Sequence, residues 1–240
     1  ATLPEVTEYT NPTSGMEIST SLSRNYDKFL DEFGIYQDFG TLKEIFNNNY
    51  YWKIKQEGKW HHKFPLVNSL AGNFRWKLGW ISKPDLDSFF NFFAGGMPGL
   101  RGYPYFSMEG RNLFSLHYTF RYPIFKQRNY KLGWFNLQNC FIGTFIETGN
   151  AWNGVPGFSG MDWSTFFSEP VSVTESILNN FKSDVGLELR FSGFSFFAYP
   201  TSINLDFAYG LSEFKVSDNM KNIYHYDKEW RTYLTILFGL

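Results

Sequence analysis

The 240-residue chain is long enough for one large β domain or two small ones, and 22 basic against 23 acidic residues leave no charge excess that would favour nucleic acid. Aromatic residues make up 21% of the chain, and rings of this kind favour strands. The single cysteine, Cys140, excludes an internal disulfide framework, and no apolar run is long enough for a transmembrane helix.

The amino-terminal part of the chain has a weak strand pattern. Apolar and polar residues alternate over short segments, and a period of two is the pattern of a strand with one buried face. The run Asn47-Asn48-Asn49 predicts a turn between two of these segments. The strands predicted here are 15–24, 33–39, 50–57, 74–81 and 88–94.

The second half of the chain alternates more clearly. In 185–191 and 203–209 every odd position is apolar, whereas the even positions carry Glu188, Arg190, Asn204 and Asp206 or small residues. Further strands are predicted at 112–125, 131–152 and 230–240, which gives about ten strands in all. The links between them are predicted to be tight at 199–202, and long and polar at 154–180 and 212–228.

This alternation fits two architectures. In a soluble β sandwich the apolar face points into a core, whereas in a membrane barrel it meets lipid and the polar face lines the lumen. Long strands, aromatic faces, and a mixture of short and long links favour the barrel. The predicted fold class is therefore an all-β, antiparallel transmembrane β-barrel, or the carboxy-terminal part of one, in a single domain over 1–240.

One ordered set of motifs resembles a known family. The set comprises Gly95-Gly96, then Leu100-Arg101-Gly102-Tyr103, a strand that reaches Pro123, and Phe145-x-Glu147-x-Gly149. Over 88–240 it is similar to the barrel domain of the BamA-type superfamily, also called the bacterial surface antigen family. That family includes outer-membrane protein insertases and two-partner secretion transporters.

The resemblance implies roles for particular residues. A loop that carries Leu100, Arg101, Gly102 and Tyr103 would fold back into the barrel lumen, and Arg101 would meet Glu147 in the segment that ends at Gly149. A guanidinium in a partly dry lumen needs a carboxylate, which the planar Arg fork binds in two places. Glu147 stands where the family has Asp, so the charge is kept and the side chain is one methylene longer.

The chain also departs from the family pattern. Thr119 stands where the family often has Glu, and the terminal Leu240 follows the last aromatic, Phe238, by two residues. The family usually closes with about sixteen strands and carries periplasmic POTRA domains, which this sequence lacks. The chain starts at Ala1 without a basic-then-apolar leader. The interpretations are a mature or partial chain, a reduced family member, or a barrel completed by another chain.

The function implied by the resemblance is insertion or translocation of proteins at the bacterial outer membrane. The partners would be the lipid bilayer, a client polypeptide and other subunits of an outer-membrane complex; no enzyme activity, cofactor, metal or nucleic acid is expected. The alternative is a non-catalytic barrel that anchors or belongs to a larger surface complex. The last strand would form half of a lateral seam with these residues on one face: Trp230, Leu234, Ile236, Phe238 and Leu240.

Two further hypotheses remain open from the sequence. His117 and Ser115 share the polar face of one predicted strand, so an outer-membrane hydrolase is conceivable, although this spacing is common in any strand. A soluble β sandwich is the other. The pair His61-His62 has no Cys or third His nearby, and an exposed strand-end position explains it better than a metal site.

Overall fold

The computed structural model describes residues 11–35, 40–64, 69–84, 86–153, 180–196, 199–217 and 223–238. Strands dominate the described chain and pair antiparallel, which confirms the predicted all-β antiparallel class. In chain order they are β1 (Gly15–Ile35), β2 (Leu42–Lys63), β3 (Ala71–Ile81), β4 (Phe92–Phe93), β5 (Glu109–Gly110), β6 (Asn112–Phe125), β7 (Tyr130–Leu132), β8 (Phe135–Trp152), β9 (Lys182–Ser195), β10 (Tyr199–Gly210), β11 (Phe214–Ser217), β12 (Ile223–Tyr226) and β13 (Trp230–Phe238).

The main sheet has nine strands and a simple meander topology. Its order is β1-β2-β3-β6-β8-β9-β10-β13, and the short β7 pairs with the start of β8. The remaining strands form two separate ladders, β4 with β5 and β11 with β12. Within the described residues, β1 and β13 are the two ends of this order, so each has one edge without a strand partner.

The first two strands are much longer than the rest. β1 has 21 residues and β2 has 22, and they pair along nearly their whole length. β3 pairs only with the last part of β2, from Lys53 to Lys63. Among the described residues, the first part of β2 therefore has β1 as its only strand partner, and this hairpin extends beyond the neighbouring strands.

The sequence alternation gives the main sheet one apolar and one polar face. The apolar face is exposed and the polar face is buried, which is the opposite of a soluble sandwich. On the apolar face Leu187 is 47% exposed and Leu234 is 62% exposed, whereas on the polar face Glu188 is 0% and Asp206 is 3% exposed. The register places polar residues opposite polar ones and apolar residues opposite apolar ones. Asp206 lies opposite Glu188, and Leu205 lies opposite both Leu189 and Leu234.

The polar face is covered by the segment 94–108, which we call the glycine-rich loop. The largest buried apolar cluster lies where this loop meets the sheet, and includes Ile81, Leu100, Tyr103 and Met108. Among the described residues, no helix is long and apolar enough to cross a membrane.

Some predicted elements in the amino-terminal part are wrong. The turn predicted at Asn47-Asn48-Asn49 lies inside β2, where these residues pair with 27–29 of β1 and the buried Asn49 accepts a hydrogen bond from Lys83. The strands predicted at 15–24 and 33–39 are one strand as far as Ile35, and 36–39 lie outside the described residues. Within the strand predicted at 88–94, Ser88–Phe90 form a 3-10 turn, in which the Asp87 carboxylate accepts a hydrogen bond from Phe89 N at 2.8 Å, and Phe92–Phe93 form β4.

Two predicted links also differ from the structure. The link expected at 199–202 is the beginning of β10, where Pro200 pairs with Phe194 of β9. The loop expected at 212–228 contains the β11–β12 hairpin. Nearly all of the loop predicted at 154–180 lies outside the described residues.

Candidate functional site

The glycine-rich loop doubles back on itself before it meets the sheet. Gly96 has φ of +84°, a conformation that suits glycine, and its N–H donates to the carbonyl oxygens of Leu100 and Tyr103, both at 3.0 Å. A Cβ on Gly99 would lie 1.8 Å from the Ala94 carbonyl oxygen, so only glycine allows the two arms of the turn to touch. This turn presents Arg101 to the polar face.

Arg101 and Glu147 of β8 form the central contact of the site. The Arg101 Nε and Nη2 atoms donate to Glu147 Oε1 at 3.0 and 2.8 Å, and the Arg101 backbone N–H donates to Oε2 at 2.9 Å. The Arg101 guanidinium also lies 3.4 Å from the centre of the Phe145 ring. Both oxygens of one carboxylate therefore bind the same loop residue, which fixes the loop in position and direction.

Further acidic side chains from neighbouring strands surround the Arg101 guanidinium. Its Nη1 atom is 3.5 Å from Glu188 Oε2 of β9 and 3.3 Å from Asp206 Oδ1 of β10. Glu188 also pairs with Arg121 of β6. The register explains this convergence, because Glu188 lies directly opposite Asp206 in the sheet. The arginine thus links three consecutive strands of the sheet, β8, β9 and β10.

The residues that follow Arg101 extend the contact toward β9 and β13. The Gly102 N–H donates to Asp184 Oδ2 at 2.7 Å, and the Tyr103 hydroxyl donates to the Ser183 carbonyl oxygen at 2.7 Å. Tyr233 of β13 donates its hydroxyl to the Arg101 carbonyl oxygen at 2.9 Å. Hydrogen bonds to β9 and to β13, the last strand of the sheet, therefore hold the tip of the glycine-rich loop.

The pKa values of two loop side chains are shifted by these surroundings. Burial alone would lower the pKa of the Arg101 guanidinium. The charge and hydrogen bonds of Glu147 outweigh this effect, so the pKa is raised above its ordinary value. Burial raises the pKa of the Tyr103 hydroxyl. At neutral pH Arg101 is a cation and Tyr103 is a hydrogen-bond donor, which is what both sets of contacts require.

Ser115, His117 and Glu147 form a linear polar chain on the same face. The His117 Nε2 atom lies 3.0 Å from Ser115 Oγ, and Nδ1 lies 3.1 Å from Glu147 Oε1, as in a catalytic triad. However, Ser115 is 1% exposed and Glu147 is already bound to Arg101, so a substrate cannot reach the hydroxyl while the loop is in place. The arrangement places the buried His117 imidazole between the Ser115 hydroxyl and the Glu147 carboxylate. Within the described residues, no group of three or more His, Cys, Asp or Glu could hold a metal ion.

The structure brings together the loop and acid residues singled out in the sequence. Leu100 is fully buried in the apolar cluster, and Gly149 lies beside Ser115, where a Cβ would come within 2.8 Å of the Ser115 Cα. The last strand lies away from the Arg101–Glu147 contact except through Tyr233. Four of the residues predicted for the lateral seam are exposed on the apolar face, namely Trp230, Leu234, Ile236 and Phe238, and the fifth, Leu240, lies outside the described residues.

Sequence reasoning missed most of the acidic partners of the loop. Glu188 and Asp206 were visible as polar positions of alternating strands, but nothing in the sequence placed them opposite each other or next to Arg101. Asp184 lies near the beginning of β9, and Tyr233 lies inside β13. Their contacts with the loop backbone depend on the register of the strands. A pairing prediction for β9 and β10 would have placed Glu188 opposite Asp206.

We expect Gly102→Ala to destabilise the protein by about 2–3 kcal/mol, in the range of an overpacking change. A Cβ at Gly102 would lie 2.5 Å from Asp184 Cβ and 2.8 Å from the Gly210 backbone nitrogen, so the loop would have to leave the sheet. The free energy of unfolding from urea titration measures this. Gly34→Ala is the control, because its Cβ would meet only the flexible end of Ile45 at 3.0 Å. Equal effects of the two substitutions would contradict the prediction.

No model of a known protein family matches this sequence, and no curated protein matches it.

Proposed function

We propose that the chain is a BamA-type outer-membrane β-barrel, or the carboxy-terminal portion of one, that assists insertion or translocation of polypeptides at the bacterial outer membrane. The observation that carries the proposal is the contact of Arg101 with Glu147 beneath the glycine-rich loop. It is the contact that the family resemblance implies for a loop folded into the lumen, and it lies on the face that would line the lumen.

The distribution of polarity supports a membrane location. Exposed apolar side chains continue across neighbouring strands, for example from Leu78 of β3 through Ile146 of β8 to Leu187 of β9. Such a surface would be costly in water, whereas lipid accommodates it, and the buried ionic groups of the opposite face would be expensive in lipid. We infer that lipid faces the first surface and that the second lines the interior of the barrel.

The free edges of β1 and β13 support a role in handling polypeptides. Within the described residues both strands have unpaired backbone groups along one edge, and such edges are templates for an added strand. In the proposed barrel these strands form a seam at which a client strand could pair. Such a seam would lie beside the glycine-rich loop, because Tyr233 of β13 donates to the Arg101 carbonyl oxygen.

Reconstitution tests this proposal. The purified protein is incorporated into lipid vesicles, an unfolded outer-membrane barrel is added as client, and client folding is followed by its heat-dependent mobility on gels. We expect client folding to be severalfold faster than in protein-free vesicles, with the acceleration lost in Arg101→Ala and kept in Arg128→Ala, whose side chain is exposed. Equal rates in protein-containing and protein-free vesicles would overturn the proposed activity.

A second candidate function is that of a barrel subunit within a larger surface complex. The same unpaired edges favour it, since a sheet of nine strands with two open ends could be completed by another chain. Mild detergent extraction from native cells, followed by cross-linking through cysteines introduced on β1 and β13, tests it. A cross-link to a second polypeptide would support the subunit role, whereas a cross-link within the chain would support the self-contained barrel.

A further inference from the structure

The polar face contains a cavity that is separate from the Arg101–Glu147 contact. It has a volume of about 290 Å³ and is lined by residues of β1, β2, β3, β6 and β9. This volume is close to the lower end of the range for small-molecule sites, about 300–1,000 Å³. The cavity lies where β1 begins and where β6 and β9 approach their ends, away from the long end of the β1–β2 hairpin.

The wall of this cavity is strongly basic. Four cationic side chains line it, and the acidic side chain among its described lining residues is Glu17, which lies 3.8 Å from one of them. The cations come from four different strands of the main sheet, β2, β3, β6 and β9. They are Lys59, Arg75, Arg121 and Arg190.

The nearby carboxylates are shared between these cations and Arg101. Glu188 is shared, because it contacts Arg121 and also lies 3.5 Å from both Arg190 and Arg101. Glu147 binds Arg101 and is 4.0 Å from Arg75. Among the described residues, neither the buried Arg190 Nε atom, which lies 3.5 Å from Glu188 Oε1, nor the buried His61 Nδ1 atom in the cavity wall has a hydrogen-bond partner. Buried polar atoms of this kind usually have a partner, so the cavity has donor capacity for a ligand.

The arrangement suits a phosphate group better than a single carboxylate. A phosphate monoester carries a charge of about −1.5 to −2 at neutral pH and accepts hydrogen bonds on three oxygens that point in different directions. A carboxylate is planar, carries one charge and has two acceptor oxygens, so it matches a wall with four cationic side chains less well. The Arg forks bind phosphate oxygens in pairs, and Lys59 adds a point charge.

We propose that this cavity is a binding site for a phosphate group, supplied either by a water-soluble phosphate compound or by the headgroup of an anionic lipid. The site does not depend on the polypeptide-handling function, because none of its four cationic side chains belongs to the glycine-rich loop or to the seam strands β1 and β13.

Titration calorimetry with the purified, folded protein tests the site. Orthophosphate and pyrophosphate are the soluble probes, at constant ionic strength so that screening does not change. We expect saturable binding with one site per chain. Arg190→Gln and Lys59→Gln should each lower the association constant by about tenfold, the effect of losing one charge-assisted hydrogen bond. Glu17→Gln should raise the association constant severalfold, because it removes the acidic side chain from the wall.

Lys55→Gln is the matched control. Lys55 lies on the same strand and the same face as Lys59 but outside the cavity wall, where it pairs with Glu57 at 2.9 Å. Because Lys59 is 51% exposed, its replacement should leave folding intact even if Arg190→Gln does not fold.

A second experiment, with lipid micelles, identifies the source of the phosphate. Micelles that contain phosphatidic acid are compared with micelles of phosphatidylcholine, and the unfolding temperature is the readout. A rise with phosphatidic acid that Lys59→Gln removes supports a lipid headgroup, whereas saturable pyrophosphate binding without that rise supports a soluble ligand. Absence of both, or an equal loss of affinity in Lys55→Gln and Lys59→Gln, overturns the site.

Discussion

Replacement of Arg101 by Ala is expected to lower the free energy of unfolding by about 3–5 kcal/mol, because it leaves the fully buried Glu147 carboxylate without its main partner. His117 at 3.1 Å and Arg75 at 4.0 Å would compensate for only a part of this loss. The loop tip would also lose its contacts with Glu188 and Asp206. Urea titration in vesicles and the temperature of the heat-dependent gel shift both measure the change.

Two variants separate the loss of the charge pair from a general effect of losing an arginine. Arg128→Ala removes an exposed guanidinium and should change stability by less than about 0.5 kcal/mol. Adding Glu147→Gln to Arg101→Ala should recover part of the loss, since the uncompensated buried charge is then removed. A fall in stability no larger than that of Arg128→Ala would contradict the role assigned to Arg101.

The second large effect concerns the apolar face. Leu187 lies near the middle of β9, is 47% exposed, and has Thr144 and Phe207 as its cross-strand neighbours. If lipid covers this face, Leu187→Arg should lower the free energy of unfolding in vesicles by about 2–4 kcal/mol, the cost of arginine near the middle of a bilayer. If water covers it, the same exposed substitution should change stability by less than about 0.5 kcal/mol.

Leu211→Arg is the control for depth in the membrane. Leu211 is 42% exposed, similar to Leu187, but it lies just beyond the end of β10. An arginine near the interface costs about 0–1 kcal/mol, so the two leucines should differ clearly in vesicles. Equal, small effects at both positions would contradict a lipid-covered face.

The sequence alone was sufficient for the all-β antiparallel class, and its motifs pointed to the contact between Arg101 and Glu147. A period of two predicts strands without any knowledge of their partners, and this is why β6, β9 and β10 were close to their predicted positions. Arg101 and Glu147 were found because they stand in short motifs with a fixed order, and the structure places them in direct contact.

Other features depended on pairing between distant segments, which local sequence does not reveal. Asn47 to Asn49 have turn-forming side chains, but pairing with β1 holds them in β2. Pro200 favours a turn and was predicted to lie in one, yet it pairs with Phe194 at the beginning of β10. Asp184 contacts the backbone of Gly102, which is 82 residues away in sequence, and only the register brings the two together.

The most direct test of a membrane barrel is the fractionation of the protein expressed from its native gene. Membranes are washed with carbonate, and the retained protein is run on detergent gels with and without heating. The proposed barrel predicts retention in the outer-membrane fraction and a change in mobility on heating, because a closed sheet resists detergent until it is heated. Release by carbonate, together with a soluble monomer whose mobility does not depend on heating, would contradict it.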